Sequence, residues 1–176
     1  MDLHAWITQR VDAVAAAARG HEQPSLRWEY DSNAHEIRDL DNAGTVAIVY
    51  RDGTGAHIER HDPAAVLRRC EADRRILARH NVDPAQSDSW LFAAACHGCG
   101  TEGDCDDPVT DNLNDCPELL DLAHAHGITP DILASLDRPT PPEPESRKPQ
   151  RLWGISTAPL TTADVPAALR GPSWKP

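Results

Sequence analysis

Four cysteines are spaced Cys96-x2-Cys99-x5-Cys105-x10-Cys116, and the first pair stands in Cys-His-Gly-Cys-Gly. Two thiolates two residues apart can grip one ion while the backbone turns back on itself. Glycines at 98 and 100 permit that tight turn and let backbone N–H groups approach the sulfurs. Cys116 lies in Asp115-Cys116-Pro117-Glu118, at the mouth of a helix, where partial positive charge favours the thiolate that a metal needs. The pattern predicts a zinc knuckle in which Cys96, Cys99, Cys105 and Cys116 hold a structural Zn²⁺. The competing readings are a Cys-x-x-Cys redox pair, which lacks a βαβ context, and cysteines as small core residues. Haem attachment needs a histidine where Gly100 stands.

A second ligand set is available in Cys70, Cys96, Cys99 and Cys105. Its spacing resembles the cluster arrangement of WhiB-type actinobacterial regulators, which implies an iron–sulfur or thiol redox sensor as the alternative function. Against it, Cys70 falls in an amphipathic helix between Val66 and Leu77, where a packed core side chain is the simpler account. Of those regulators' Gly/Trp turn, this chain has Leu152-Trp153-Gly154, far beyond Cys105.

Histidines widen the choice of a fourth ligand, because zinc accepts a three-cysteine, one-histidine set as readily as four cysteines. His57 and His61 flank Ile58-Glu59-Arg60 and are placed at the end of a strand and just before a helix. His80, His97, His124 and His126 are read as surface positions. No His-Glu-x-x-His, nucleophile elbow, phosphate loop or dinucleotide fingerprint occurs, so the chain is expected not to be an enzyme. An unrecognised zinc enzyme with an open coordination position is a further alternative.

The elements that must position these residues follow from periodicity. Leu3, Trp6, Ile7, Val11, Val14 and Ala18 form one helical stripe over residues 2–19, with Gly20 as its left-handed cap. Residues 26–30 and 45–51 are strand-like, and a weaker strand surrounds Ile37. Asp52-Gly53-Thr54-Gly55 reads as a hairpin turn returning through Ala56–Arg60. Asp62-Pro63 starts a helix that runs to about Arg79, with Arg68, Arg69, Arg74 and Arg75 on its solvated face. The run Trp90–Cys96 is strand-like. Short helices start at Pro117 and, behind Thr129, at Pro130. The expected fold is α+β: an N-terminal helix, a small antiparallel sheet packed on the 62–79 helix, and a zinc knuckle with short helices.

Charge divides the 176 residues unevenly. Residues 1–80 carry 11 basic and 13 acidic side chains, residues 81–137 carry 12 acidic and none basic, and residues 138–176 carry 6 basic and 3 acidic. The middle section repels phosphate, so direct nucleic-acid binding through it is disfavoured. The N-terminus lacks a signal-peptide n-region, and the longest apolar run is too short to span a bilayer. A cytoplasmic protein that binds no membrane is expected. Nine prolines among residues 138–176 mark a linker and tail beyond a zinc-stabilised domain of residues 1–137. A protein partner is expected at the acidic face or at Leu152–Leu169, where Trp153, Ile155, Leu160, Val165 and Leu169 punctuate a polar segment.

His57-Ile58-Glu59-Arg60-His61-Asp62-Pro63, followed by Val66-Leu67-Arg68-Arg69 and Arg74-Arg75-Ile76-Leu77, resembles an uncharacterised family of short actinobacterial and actinophage proteins. Cys96-x-x-Cys99-Gly100 and Asp115-Cys116-Pro117-Glu118-Leu119 resemble that family's second half. The resemblance covers roughly residues 1–126 and implies kinship to a domain of unknown function, with no activity attached. It also implies Cys96, Cys99 and Cys116 as the shared ligands, which sets His57 or His61 beside Cys105 as the fourth. The reading that follows is a non-catalytic, zinc-binding accessory or interaction protein.

Overall fold

A computed structural model describes residues 1–20, 25–86 and 88–140. The segment 152–169, read above as a docking motif, lies outside the described residues.

The first helix, α1 (Leu3–Arg19), starts where Asp2 accepts the Ala5 N–H at 2.8 Å and stops at Gly20, whose φ is +64°. Its buried stripe is Leu3, Trp6, Ile7, Val11 and Ala15. Val14, expected on that stripe, is 36% exposed, and Ala15 takes the seam position. The stripe lies along α3 (Pro63–Arg79), which Asp62 caps by accepting from Ala65 N at 2.6 Å with Pro63 in the first turn. Cys70 and Leu77 are buried on α3, and Arg74 reaches across to Asp12 at 2.7 Å. Leu3, Ile7, Val11, Cys70 and Leu77 share one core with Leu113, Leu119, Leu122 and Ala123. Each large apolar side chain buried there contributes about 1.5–3 kcal/mol.

Strands β1 (Trp28–Asp31), β2 (Glu36–Asp39) and β3 (Thr45–Ile48) form an antiparallel meander in the order β1-β2-β3. Trp28 pairs with Asp39 and Glu36 with Ile48, with an irregularity at Ile37/Arg38. Ile37, from the weakest of the strand expectations, is fully buried on the central strand. The expected hairpin through Asp52–Gly55 is absent: residues Asp52–Arg60 form helix α2, and the partner of β3 is β2. Tyr30 explains the change. A Cβ on Gly55 would stand 2.3 Å from its ring, so this glycine permits helix-to-strand contact and turns no hairpin. The Tyr30 hydroxyl also donates to Asp52 Oδ1, in the first turn of α2, at 2.6 Å. Packing thereby overrides the poor helix propensity of two glycines. The helix against the sheet is accordingly α2, where α3 was expected.

Beyond α3 the chain is stitched by loops. Trp90–Cys96 is a succession of turns, with Phe92 N bonded to Ser89 O at 3.1 Å and Ala95 N to Phe92 O at 3.0 Å. It is not the strand expected. Its end is held by Cys96 N on Thr110 O at 3.1 Å and by Leu113 N on Ala94 O at 2.7 Å. A two-residue hairpin, β4 (Thr101–Glu102) with β5 (Asp107–Pro108), precedes α4 (Pro117–Ala125) and α5 (Pro130–Ser135). Thr129 caps α5 by accepting from Ile132 N at 3.3 Å.

Buried Asn114 joins both ends of this unit. Its Oδ1 accepts from Leu3 N at 3.0 Å and its Nδ2 donates to Asp137 O at 3.0 Å. Arg138 makes a two-pronged pair with Asp115, and the N-terminal amine pairs with Asp137. The α+β class is as the sequence predicts. Among the described residues no helix is long and apolar enough to cross a membrane.

Candidate metal centre

Helix α3 ends at His80, whose backbone N–H returns to Ile76 O at 2.9 Å. The knuckle turn His97–Cys99 lies directly on that last helical turn. His97 N donates to Asn81 O at 2.8 Å, and a Cβ on Gly98 would stand 2.4 Å from Arg79 O and 2.8 Å from His80 Nδ1. Gly98 is therefore where backbone passes backbone, and that contact brings His80 to the knuckle. Gly100, at φ +78°, turns the chain away into β4. From the other side Cys116, the N-cap of α4, presents its thiol. Helix α4 is fastened to α3 by His126 Nε2 on Asp73 Oδ2 at 2.9 Å.

These elements converge on four donors: His80, Cys96, Cys99 and Cys116, whose ligand atoms all lie within 4.8 Å of one another. His80 Nδ1 is 3.4 Å from Cys116 Sγ, 3.6 Å from Cys96 Sγ and 4.0 Å from Cys99 Sγ, and the Cys99 and Cys116 sulfurs are 3.5 Å apart. Zn–S bonds of about 2.3 Å and Zn–N bonds of about 2.0–2.1 Å give tetrahedral edges of about 3.8 Å (S···S) and about 3.5 Å (N···S). The four separations thus fall close to the edges of a tetrahedron around one four-coordinate ion. Three thiolates and an imidazole are also the donor chemistry that zinc prefers.

Burial sets the electrostatics. His80, Cys96 and Cys116 are buried and Cys99 is partly so. Removal from water pushes the Cys116 thiol far above its ordinary value, and burial raises Cys96 as well. The helix N-terminus beneath Cys116 does not overcome that. A cation among the sulfurs reverses the balance, because it stabilises the thiolate directly. Glu118, in the first turn of α4, adds a carboxylate 3.5 Å from Cys116 Sγ.

Of the residues singled out by spacing, the structure brings together Cys96, Cys99 and Cys116. Cys105 is exposed, within the loop that joins β4 to β5 and outside the four-donor group. His57 lies on α2 and not at a strand end, while His61 caps α2 just ahead of α3, as expected, one helical turn from His57. Their ring centroids are 4.4 Å apart, His61 Nδ1 meets Arg69 Nη2 at 2.6 Å, and neither joins the group. Cys70 is buried in the helical core, its thiol raised by burial, and is no member of the group. Asp104, Asp106 and Asp107 are exposed around that hairpin.

His80 is the member of this group that spacing missed. Sequence spacing alone marks it as a surface residue, and it is 8% exposed. The available signal was its place: the first residue past a long amphipathic helix, with the knuckle to follow. His97, by contrast, faces solvent as expected, at 3.5 Å from Asp83.

The sequence model of DUF6221, a family of unknown function, matches residues 1–131, a span that includes all four donors. No curated protein and no solved structure matches the chain. By the extent of that match, the chain belongs to DUF6221, a family of unknown function.

Proposed function

We propose that this chain is a non-catalytic accessory or interaction protein of the actinobacterial or actinophage type its motifs resemble, stabilised by one structural Zn²⁺ on His80, Cys96, Cys99 and Cys116. The observation that carries the reading is the closure of four zinc-type donors within 4.8 Å. A structural site uses all four positions for protein ligands, whereas a catalytic one leaves a position for water or substrate. When bound, the ion would supply a cross-link between the end of α3, the knuckle and the start of α4. The chain's own residues set that geometry: Gly98 seats the knuckle on α3, and Asp73 with His126 holds α4 in place.

The acidic section 81–137 and the apolar residues of 152–169 are the proposed partner surfaces, and a reducing cytoplasm is the compartment that keeps such thiols ready for metal. The iron–sulfur alternative loses support because Cys70 is a core residue and Cys105 is exposed. A multi-iron cluster would also hold its thiolates farther apart than these donors stand.

The test is cobalt substitution of the full chain. A tetrahedral thiolate–cobalt spectrum that added azide or cyanide leaves unchanged supports the closed structural site. A spectrum that shifts with added ligand reveals an open position and turns the reading to an enzyme.

A further inference from the structure

Three of the four donors are buried, and Cys99 is the member of the group partly open to solvent. Glu118 stands on that open side, its side chain 52% exposed. One carboxylate oxygen, Oε2, lies 3.5 Å from Cys116 Sγ, 3.8 Å from Cys99 Sγ and 3.9 Å from His80 Nδ1. These three donors form one face of the donor tetrahedron, and Oε2 sits over it.

We infer that Glu118 is a relay ligand, the carboxylate through which the cation passes between solvent and the buried donors. The inference rests on reading the group as a metal centre. A carboxylate is an accepted zinc ligand and carries the charge that draws a dication from solvent. Its half-exposed position lets it meet the ion before any buried thiol can. Once the ion is held by three thiolates and an imidazole, the centre is net negative and repels the same carboxylate. Glu118 therefore does not stay as a fifth ligand. On the way out it serves as the incoming donor when Cys99, the most accessible thiolate, lets go. A relay of this kind speeds loading and release together and leaves the equilibrium affinity where the four donors set it. A purely structural role, a negative charge in the first turn of α4, would change stability and not exchange rates.

Cobalt(II) uptake by the reduced full chain, followed by stopped-flow at the thiolate–cobalt band, measures loading. Transfer of zinc to a coloured chelator measures release. Glu118→Gln is expected to slow both by about tenfold, the scale on which a local charge focuses counter-ions, with equilibrium cobalt affinity unchanged. Asp121→Asn removes an exposed charge farther along the same helix and is expected to leave both rates as they are. Unchanged rates in Glu118→Gln would overturn the relay. So would equal slowing in both variants, which indicates general charge steering, or faster release with weaker affinity, which makes Glu118 a holding ligand. Absence of a thiolate–cobalt band in the unaltered chain would instead overturn the metal-centre reading on which the relay rests.

Discussion

His80 Nδ1 stands 3.4 Å from Cys116 Sγ, so the residue that ends α3 meets the residue that begins α4. The two are 36 positions apart, with the whole knuckle folded between them. Helix ends are where backbone groups and dipoles are left free. Here two of them meet within one donor group. The site is thus built from element boundaries and inherits its precision from the α1–α3 and α3–α4 packing.

The donor set separates four single variants. His80→Ala is expected to weaken zinc binding by more than about 100-fold, beyond the range typical of groups that only support a ligand. Cys116→Ser should do the same. Cys105→Ser and Cys70→Ala should leave zinc stoichiometry and affinity unchanged, with Cys70→Ala losing about 1 kcal/mol of stability as a small buried side chain is truncated. Isothermal titration and chemical denaturation read these values. Loss of zinc in Cys105→Ser with retention in His80→Ala would reverse the assignment.

Two glycines make opposite predictions about the site. Alanine at 98 meets the Arg79 carbonyl at 2.4 Å and alanine at 55 meets the Tyr30 ring at 2.3 Å. Each is expected to cost about 1–3 kcal/mol, the usual penalty of overpacking. Gly98→Ala should also weaken metal binding, because relief of its clash moves the knuckle off His80. Gly55→Ala should leave metal binding intact and loosen the sheet, visible as faster amide exchange in residues 28–48.

Acid should loosen the sheet through its turn carboxylates. Asp41 is held below its ordinary value of 3.8 by the Leu26 N–H and then by the Arg27 side chain, and Asp31 by the N–H groups of Ala34 and Asn33. Their folded-state values are lowered, so their stabilisation is complete above the ordinary value and is lost as pH falls through the lowered ones. Amide signals of residues 26–42 are therefore expected to broaden below about pH 4. Asp41→Asn should weaken the sheet at neutral pH and flatten that acid dependence. An acid transition unchanged in the variant would contradict the assignment.

The long helices were legible because their signals are local: the stripe of α1, the Gly20 stop and the Asp62-Pro63 start all appear at their expected places. The glycines misled where their reason was distant. Gly53 and Gly55 resemble a turn in sequence, yet Gly55 answers to Tyr30, twenty-five residues earlier. The same holds at the site. Cys96, Cys99 and Cys116 carry local marks, a knuckle and a helix start, and those marks led to three residues that do converge. His80 carries none until α3 is known to end on the knuckle. Cys105 was favoured by closeness along the chain, but the hairpin that contains it turns its thiol to solvent.

The central claim is most directly tested by elemental analysis and the visible spectrum of the full chain, purified anaerobically under reducing conditions, beside His80→Ala. About one zinc per chain, no colour, and loss of that zinc in the variant is the predicted result for a closed four-ligand site. Iron with sulfide and absorption near about 400 nm, or four readily titrated thiols and no metal, would contradict it.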